Sequence, residues 1–204
     1  ARGFKSFLVT GDVTINGGND FTDYTFVGRG QNLSIFTLDT SAVLVNCSFY
    51  DAQITGVLDG DTHIEDCIIE NITFVSGVIE RCILSEGTTV LGGAETAYFI
   101  ECKSGVEGVN KHTIDCGGSG QGLAIRDFNG GIKIINKTGV DAISIDLSSG
   151  QVILSNTTVT NGTITIRGIG KLVDESGNRI RSGNFNGATI INELIDSASL
   201  QELW

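Results

Sequence analysis

The stretch IEDCIIENITFVSGVIERCIL, residues 64–84, says nearly the same thing twice. Ile64-Glu65-Asp66-Cys67-Ile68-Ile69 returns as Ile79-Glu80-Arg81-Cys82-Ile83-Leu84. Two explanations compete. One is a metal or redox site built from paired cysteines; the other is a coiled architecture in which each lap of the chain revisits the same environment.

The flanking sequence favours the second. Segments that open on an apolar cluster begin at Ser41, Thr62, Val78, Thr96, Thr113, Ile132 and Gln151 and run 16 to 21 residues each. Within them apolar residues alternate or cluster over a few positions and then meet Gly, Asn or Asp, which marks short strands between turns and leaves no helical run. Repeats of this length made only of strands and turns predict an all-β solenoid, each lap laying short parallel strands on the one before. Residues 1–40 supply the strands that lead into it, and residues 41–170 its laps. Residues 171–204 form a C-terminal segment, in which KLVDESGNRIR reads as a hairpin turning at Glu175–Asn178. GATIINELIDSASLQELW then places Ile190, Ile191, Leu194, Ile195, Leu200 and Leu203 at spacings suited to an amphipathic helix, a cap or an oligomer junction.

The cysteines fit the same picture. Cys47, Cys67, Cys82, Cys102 and Cys116 fall near the starts of five laps, so they are expected to stack as an inward column of small, buried, reduced residues. None belongs to a C-x-x-C pair, the spacing that zinc sites favour. Alternation in VLVNCSF puts Val43, Val45, Cys47 and Phe49 on one face. The same parity would carry Glu65 and Glu80 inward beside Cys67 and Cys82. A buried unpaired carboxylate is costly, so a bulge or turn is expected there that returns both to solvent.

Charge and composition exclude several partners. A net charge of −11 with scattered Lys and Arg repels nucleic acid. No apolar run approaches the roughly 20 residues that cross a bilayer, so no membrane insertion is expected. The start at Ala1 without Met and the stop at Trp204 are those expected of a piece of a longer protein. The Gly-rich run Gly117–Gly122 lacks the Lys and Ser/Thr of a phosphate loop. Asp59, Asp61 and His63 offer a possible cation set, read here as a solvated turn, and no metal or cofactor is expected. If the chain cleaved a glycan, Glu65, Asp66, Glu80 and Glu101 would be the candidate catalytic carboxyls, because that chemistry needs only two acids about 5 to 10 Å apart. Aromatic platforms for sugar are sparse, and no Ser-His-Asp set or HExxH motif occurs, so the expectation is a protein that is not an enzyme.

Irregular laps rich in Gly, Asn, Thr and Val, with phrases such as VNCSF, IEDCII and YFIEC, resemble the right-handed parallel β-helix parts of tailed-bacteriophage virion proteins: tail spikes, tail and head fibres, and related appendages. The resemblance covers about Phe7 to Gly170 and carries no signature motif. It implies a single right-handed parallel β-helix in a homotrimeric structural or adhesion component of the virion, touching other virion proteins and a host-surface glycan. A tail-spike polysaccharide depolymerase and a self-assembling extracellular filament subunit are the alternatives. The apolar face of the C-terminal helix, with Ile190, Leu194, Ile195 and Leu203, is expected to contact neighbouring chains across a threefold axis.

Overall fold

The computed structural model describes residues 5–104, 111–117 and 121–195. Among these the protein is all-β, with eighteen strands joined in one continuous sheet. The N-terminal strands are β1 (Lys5–Leu8), β2 (Val13–Ile15), β3 (Tyr24–Val27), β4 (Ile35–Leu38) and β5 (Cys47–Tyr50). The middle holds β6 (Gln53–Glu65), β7 (Ile68–Glu80), β8 (Ile83–Leu84), β9 (Thr88–Leu91), β10 (Ala97–Ile100), β11 (Lys103–Ser104) and β12 (His112–Asp115). The remainder comprises β13 (Leu123–Ile135), β14 (Ile143–Leu154), β15 (Thr163–Ile169), β16 (Lys171–Asp174), β17 (Gly183–Phe185) and β18 (Ala188–Ile195).

Pairing is parallel throughout the body of the sheet and falls into three ladders. The first runs β1, β3, β5, the end of β6, the end of β7, β10, the starts of β13 and β14, β15 and β18. The second joins β2, β4, the starts of β6 and β7, β8, β11 and the middle of β13. The third joins the middles of β6 and β7 to β9, β12, the ends of β13 and β14, and β16. Parallel neighbours need a crossover between them, and here the other two ladders provide it.

One inward position of the first ladder runs Phe26, Phe49, Ile64, Ile79, Phe99, Ile125, Ile145, Ile166 in unbroken register, every member at most 3% exposed. Phe26 stacks on Phe49 at 5.0 Å, and Phe36 meets both edge-on. Burying a side chain of this size contributes about 1.5–3 kcal/mol relative to leaving it in water, so the column is a main source of cohesion.

A sharp corner follows the first ladder. Asp51, Asp66, Arg81, Glu101 and Asp127 each take a left-handed backbone, with φ between 50° and 54°. The next residue in each case points inward: Ala52, Cys67, Cys82, Cys102 and Phe128, all buried. This is the turn anticipated near Glu65 and Glu80. It breaks the strand parity, so that Ile64 and Cys67 both face in while Glu65 stays outside. The thiols of Cys67, Cys82 and Cys102 lie 3.7, 3.7 and 3.4 Å from the carbonyl oxygens of Phe49, Ile64 and Ile79, the same register position one lap earlier.

Three of the five cysteines thus form a column; Cys47 and Cys116 do not. Cys47 lies within the first ladder opposite Thr62, with its thiol 3.0 Å from the Phe21 carbonyl, and Cys116 follows β12 beyond the third ladder. The lap boundaries shift for the same reason. Thr62 lies on the first ladder, whereas Thr113, Ile132 and Gln151 lie on the third. The lap from Phe99 to Ile125 is long enough to hold an apolar cluster at its middle, and that cluster mimics a new start.

Where the C-terminal helix was expected, the described residues form a strand instead. Residues 188–195 are strand β18, paired in parallel with β15 from Thr163↔Thr189 to Ile169↔Ile195. The open edge of β15 satisfies backbone groups that a helix would satisfy internally, and the β-branched Ile190, Ile191 and Ile195 suit a pleated surface. Asn186 and Gly187, at φ 52° and 102°, turn the chain between β17 and β18, the one antiparallel pair of named strands. Residues 196–204, with Leu200 and Leu203, lie outside the described residues. The expected hairpin about Glu175–Asn178 is present, with the Asp174 amide donating to the Asn178 carbonyl at 2.9 Å.

Two expected outcomes follow from this packing. At Gly150, φ is 135°, and an added Cβ would overlap the Gly130 carbonyl oxygen of the preceding lap. Gly150→Ala should therefore cost at least about 1–3 kcal/mol, seen as a lower midpoint in thermal unfolding; an unchanged midpoint would refute the close approach. Burial pushes the Cys47 thiol up to about 11 and the Cys116 thiol up to about 12. All five buried thiols should label slowly in the native protein and rapidly after denaturation, as read by mass spectrometry against time.

Candidate functional site

Strand alternation places residues 63 and 65 on the outer face of β6, and the lap step sets Glu80 directly beside Glu65. Tyr50, the register partner of Glu65 on the other side, lays its ring 6.1 Å from that of His63 at an interplanar angle of 29°. The left-handed corners then aim Asp66 and Arg81 back over the same surface. Local sequence explains each half of the cluster, and the register brings the halves together.

The geometry divides each glutamate in two. Arg81 donates to Oε1 of Glu65 and, at 2.7 Å, to Oε1 of Glu80, while its Nε and Nη2 reach the Asp66 carboxylate at 3.1 and 3.2 Å. The Oε2 atoms face His63 instead. Nε2 of His63 lies 3.2 Å from Glu65 Oε2 and 3.7 Å from Glu80 Oε2. These separations are within ion-pair range, yet Nε2 makes no hydrogen bond of acceptable geometry and has almost no accessible surface of its own. Hydrogen bonds first to Asp66 and then to Glu65 raise the Arg81 pKa above its ordinary value, so the guanidinium is a fixed positive charge.

The other expected site residues fall elsewhere. Asp59 and Asp61 are exposed on β6 and do not converge with His63. Glu101 occupies the next left-handed corner, exposed and outside the ion-pair network. At the C-terminus Ile190 is 2% exposed and Leu194 packs against the core, so the chain itself covers these two of the four residues expected to contact neighbours. Ile195 is 52% exposed, and Leu203 lies outside the described residues.

No protein-family model, curated protein or solved structure matches the chain. The site is therefore read from its own chemistry. His63, Glu65 and Glu80 each present one potential metal-ligand atom, all within 4.8 Å of one another. The carboxyls of a retaining glycosidase stand roughly 5–5.5 Å apart with the sugar between them. Here, however, an imidazole stands between the two Oε2 atoms and a guanidinium bridges the two Oε1 atoms, which fills the space a sugar's reacting carbon would need. The arrangement is suited to holding a cation or tying two laps together.

The second histidine is structural. His112 is fully buried on β12, its Nδ1 2.8 Å from the Ser85 carbonyl and its Nε2 2.8 Å from the Thr89 hydroxyl. A carbonyl only accepts, so Nδ1 carries the proton and Nε2 accepts from Thr89. Burial lowers the His112 pKa below its ordinary value, against a smaller opposing effect of the Ser85 carbonyl. The unfolded chain therefore binds a proton that the folded chain resists. Stability should be full above the ordinary imidazole value of about 6.5 and fall as pH drops through it, by up to about 1.4 kcal/mol per pH unit until the folded value is reached. Thermal melts between neutral and mildly acidic pH should show this slope in the wild type and in His63→Ala, and a flatter one in His112→Gln.

Proposed function

We propose that the laps wind as one right-handed parallel β-helix and that the protein is a non-enzymatic structural or adhesion component of a bacteriophage particle, an appendage of the tail or capsid. The observation that carries this reading is the inward column from Phe26 to Ile166, whose register never breaks. Each lap is fixed by main-chain hydrogen bonds to its neighbours and by a continuous apolar core, which gives a stiff body suited to bearing load or presenting a surface. The sequence resemblance to phage β-helices points the same way.

The assembly we propose is a homotrimer of side-by-side chains that contacts other virion proteins and a host-surface glycan. Its support is the outer surface of the last laps, where Ile169 and its register partner Ile195 are both exposed beside the exposed Ile191. Exposed apolar residues grouped in this way favour contact between copies. The crowding of the Glu65–Glu80 pair by His63 and Arg81 weighs against the depolymerase alternative.

Three measurements test the reading. Light scattering of the purified chain should give a trimer mass, and gold-labelled antibody should decorate the tail or capsid of virions. Incubation with capsular and lipopolysaccharide glycans should release no oligosaccharide. Turnover abolished by Glu80→Gln would replace this proposal with the depolymerase, and virions lacking the chain would remove the phage assignment.

A further inference from the structure

The geometry points to a divalent-metal site on the outer face of β6 and β7, in which His63 Nε2, Glu65 Oε2 and Glu80 Oε2 ligate a transition ion of the zinc class and leave a fourth position open to water. Around a tetrahedral zinc about 2.0–2.2 Å from its ligands, the ligand atoms stand about 3.4 Å apart. The two separations from Nε2, 3.2 and 3.7 Å, bracket that value. Two of the three ligand separations thus match coordination, and all three ligand atoms lie within 4.8 Å of one another.

Nε2 supplies an independent observation. It is enclosed, it lacks a well-aligned hydrogen bond, and it points at two oxygen atoms whose carboxylates have their other oxygens engaged. A metal ion on its lone pair would give this nitrogen a well-aligned partner. Arg81 acts as a positioning residue. By donating to both Oε1 atoms it turns both Oε2 atoms toward His63, as outer hydrogen-bond partners do for carboxylate ligands elsewhere. Tyr50 limits the tilt of the imidazole from its other side.

Charge and ligand softness select the ion. Glu65, Asp66 and Glu80 against Arg81 leave two carboxylate charges unbalanced, which a divalent ion neutralises. One nitrogen with two carboxylate oxygens suits zinc and its neighbours, whereas calcium and magnesium prefer oxygen-only sets. Because two ligands come from one lap and the third from the next, a bound ion would cross-link the laps. This inference is independent of the proposed phage role.

The test is a calorimetric titration of zinc chloride into the full chain after chelator treatment, alongside thermal melts. One ion per chain should bind, with a rise of several degrees in the unfolding midpoint that excess magnesium or calcium does not reproduce. His63→Ala and Glu80→Gln should each weaken binding at least tenfold while leaving the far-UV circular dichroism of the ion-free chain unchanged. Glu65→Gln gives a third ligand removal should either variant misfold. Cobalt bound in place of zinc should show visible bands without a thiolate charge-transfer band. Absence of saturable binding, binding that survives all three substitutions, or a cobalt–thiolate band assigning the ion to the cysteines would each overturn the site.

Discussion

Parallel main-chain pairing between successive laps is the constraint on which the rest of the structure depends. A strand can pair in parallel with an earlier one only if the chain returns in the same direction and in register, so each turn must fall where its counterpart fell. The left-handed residue after the first ladder fixes that place at Asp51, Asp66, Arg81, Glu101 and Asp127. Aspartate tolerates this conformation better than most residues, while Arg81 and Glu101 adopt it at greater cost. Their compliance shows the ladder overriding local preference.

The same constraint creates surface chemistry from residues far apart in sequence. His63 and Glu65 share a face by alternation, whereas Glu80 joins them only because Glu65 and Glu80 are register partners. A slip of one residue would send Glu80 inward and dissolve the cluster. Arg81 belongs to both worlds. Its backbone makes the corner, and its side chain fixes three carboxylates from two laps.

Much of this was legible in the sequence, and the failures have physical causes. IEDC and IERC announced the lap, and the expense of burying Glu65 and Glu80 announced the corner between them. Cys116 was misplaced because apolar clusters on the first and third ladders look alike when lap length varies. Asn186-Gly187 was a local hairpin signal that went unread beside the helix-like spacing of Ile190, Leu194 and Ile195; the open edge of β15 decided the outcome. The meeting of His63 with Glu80 depended on exact register, which composition and periodicity do not fix.

The spacing between register partners is far from uniform. From Phe49 to Ile64 and from Ile64 to Ile79 it is 15 residues, but from Phe99 to Ile125 it is 26. The inward column runs through this change of spacing with its register intact. Longer connections are tolerated because loop-closure entropy grows only slowly with length. The fold thus separates what must be kept from what is free to vary: insertions between ladders offer evolution, or an engineer, places to graft new sequence onto a frame whose periodicity is measured in contacts and not in residues.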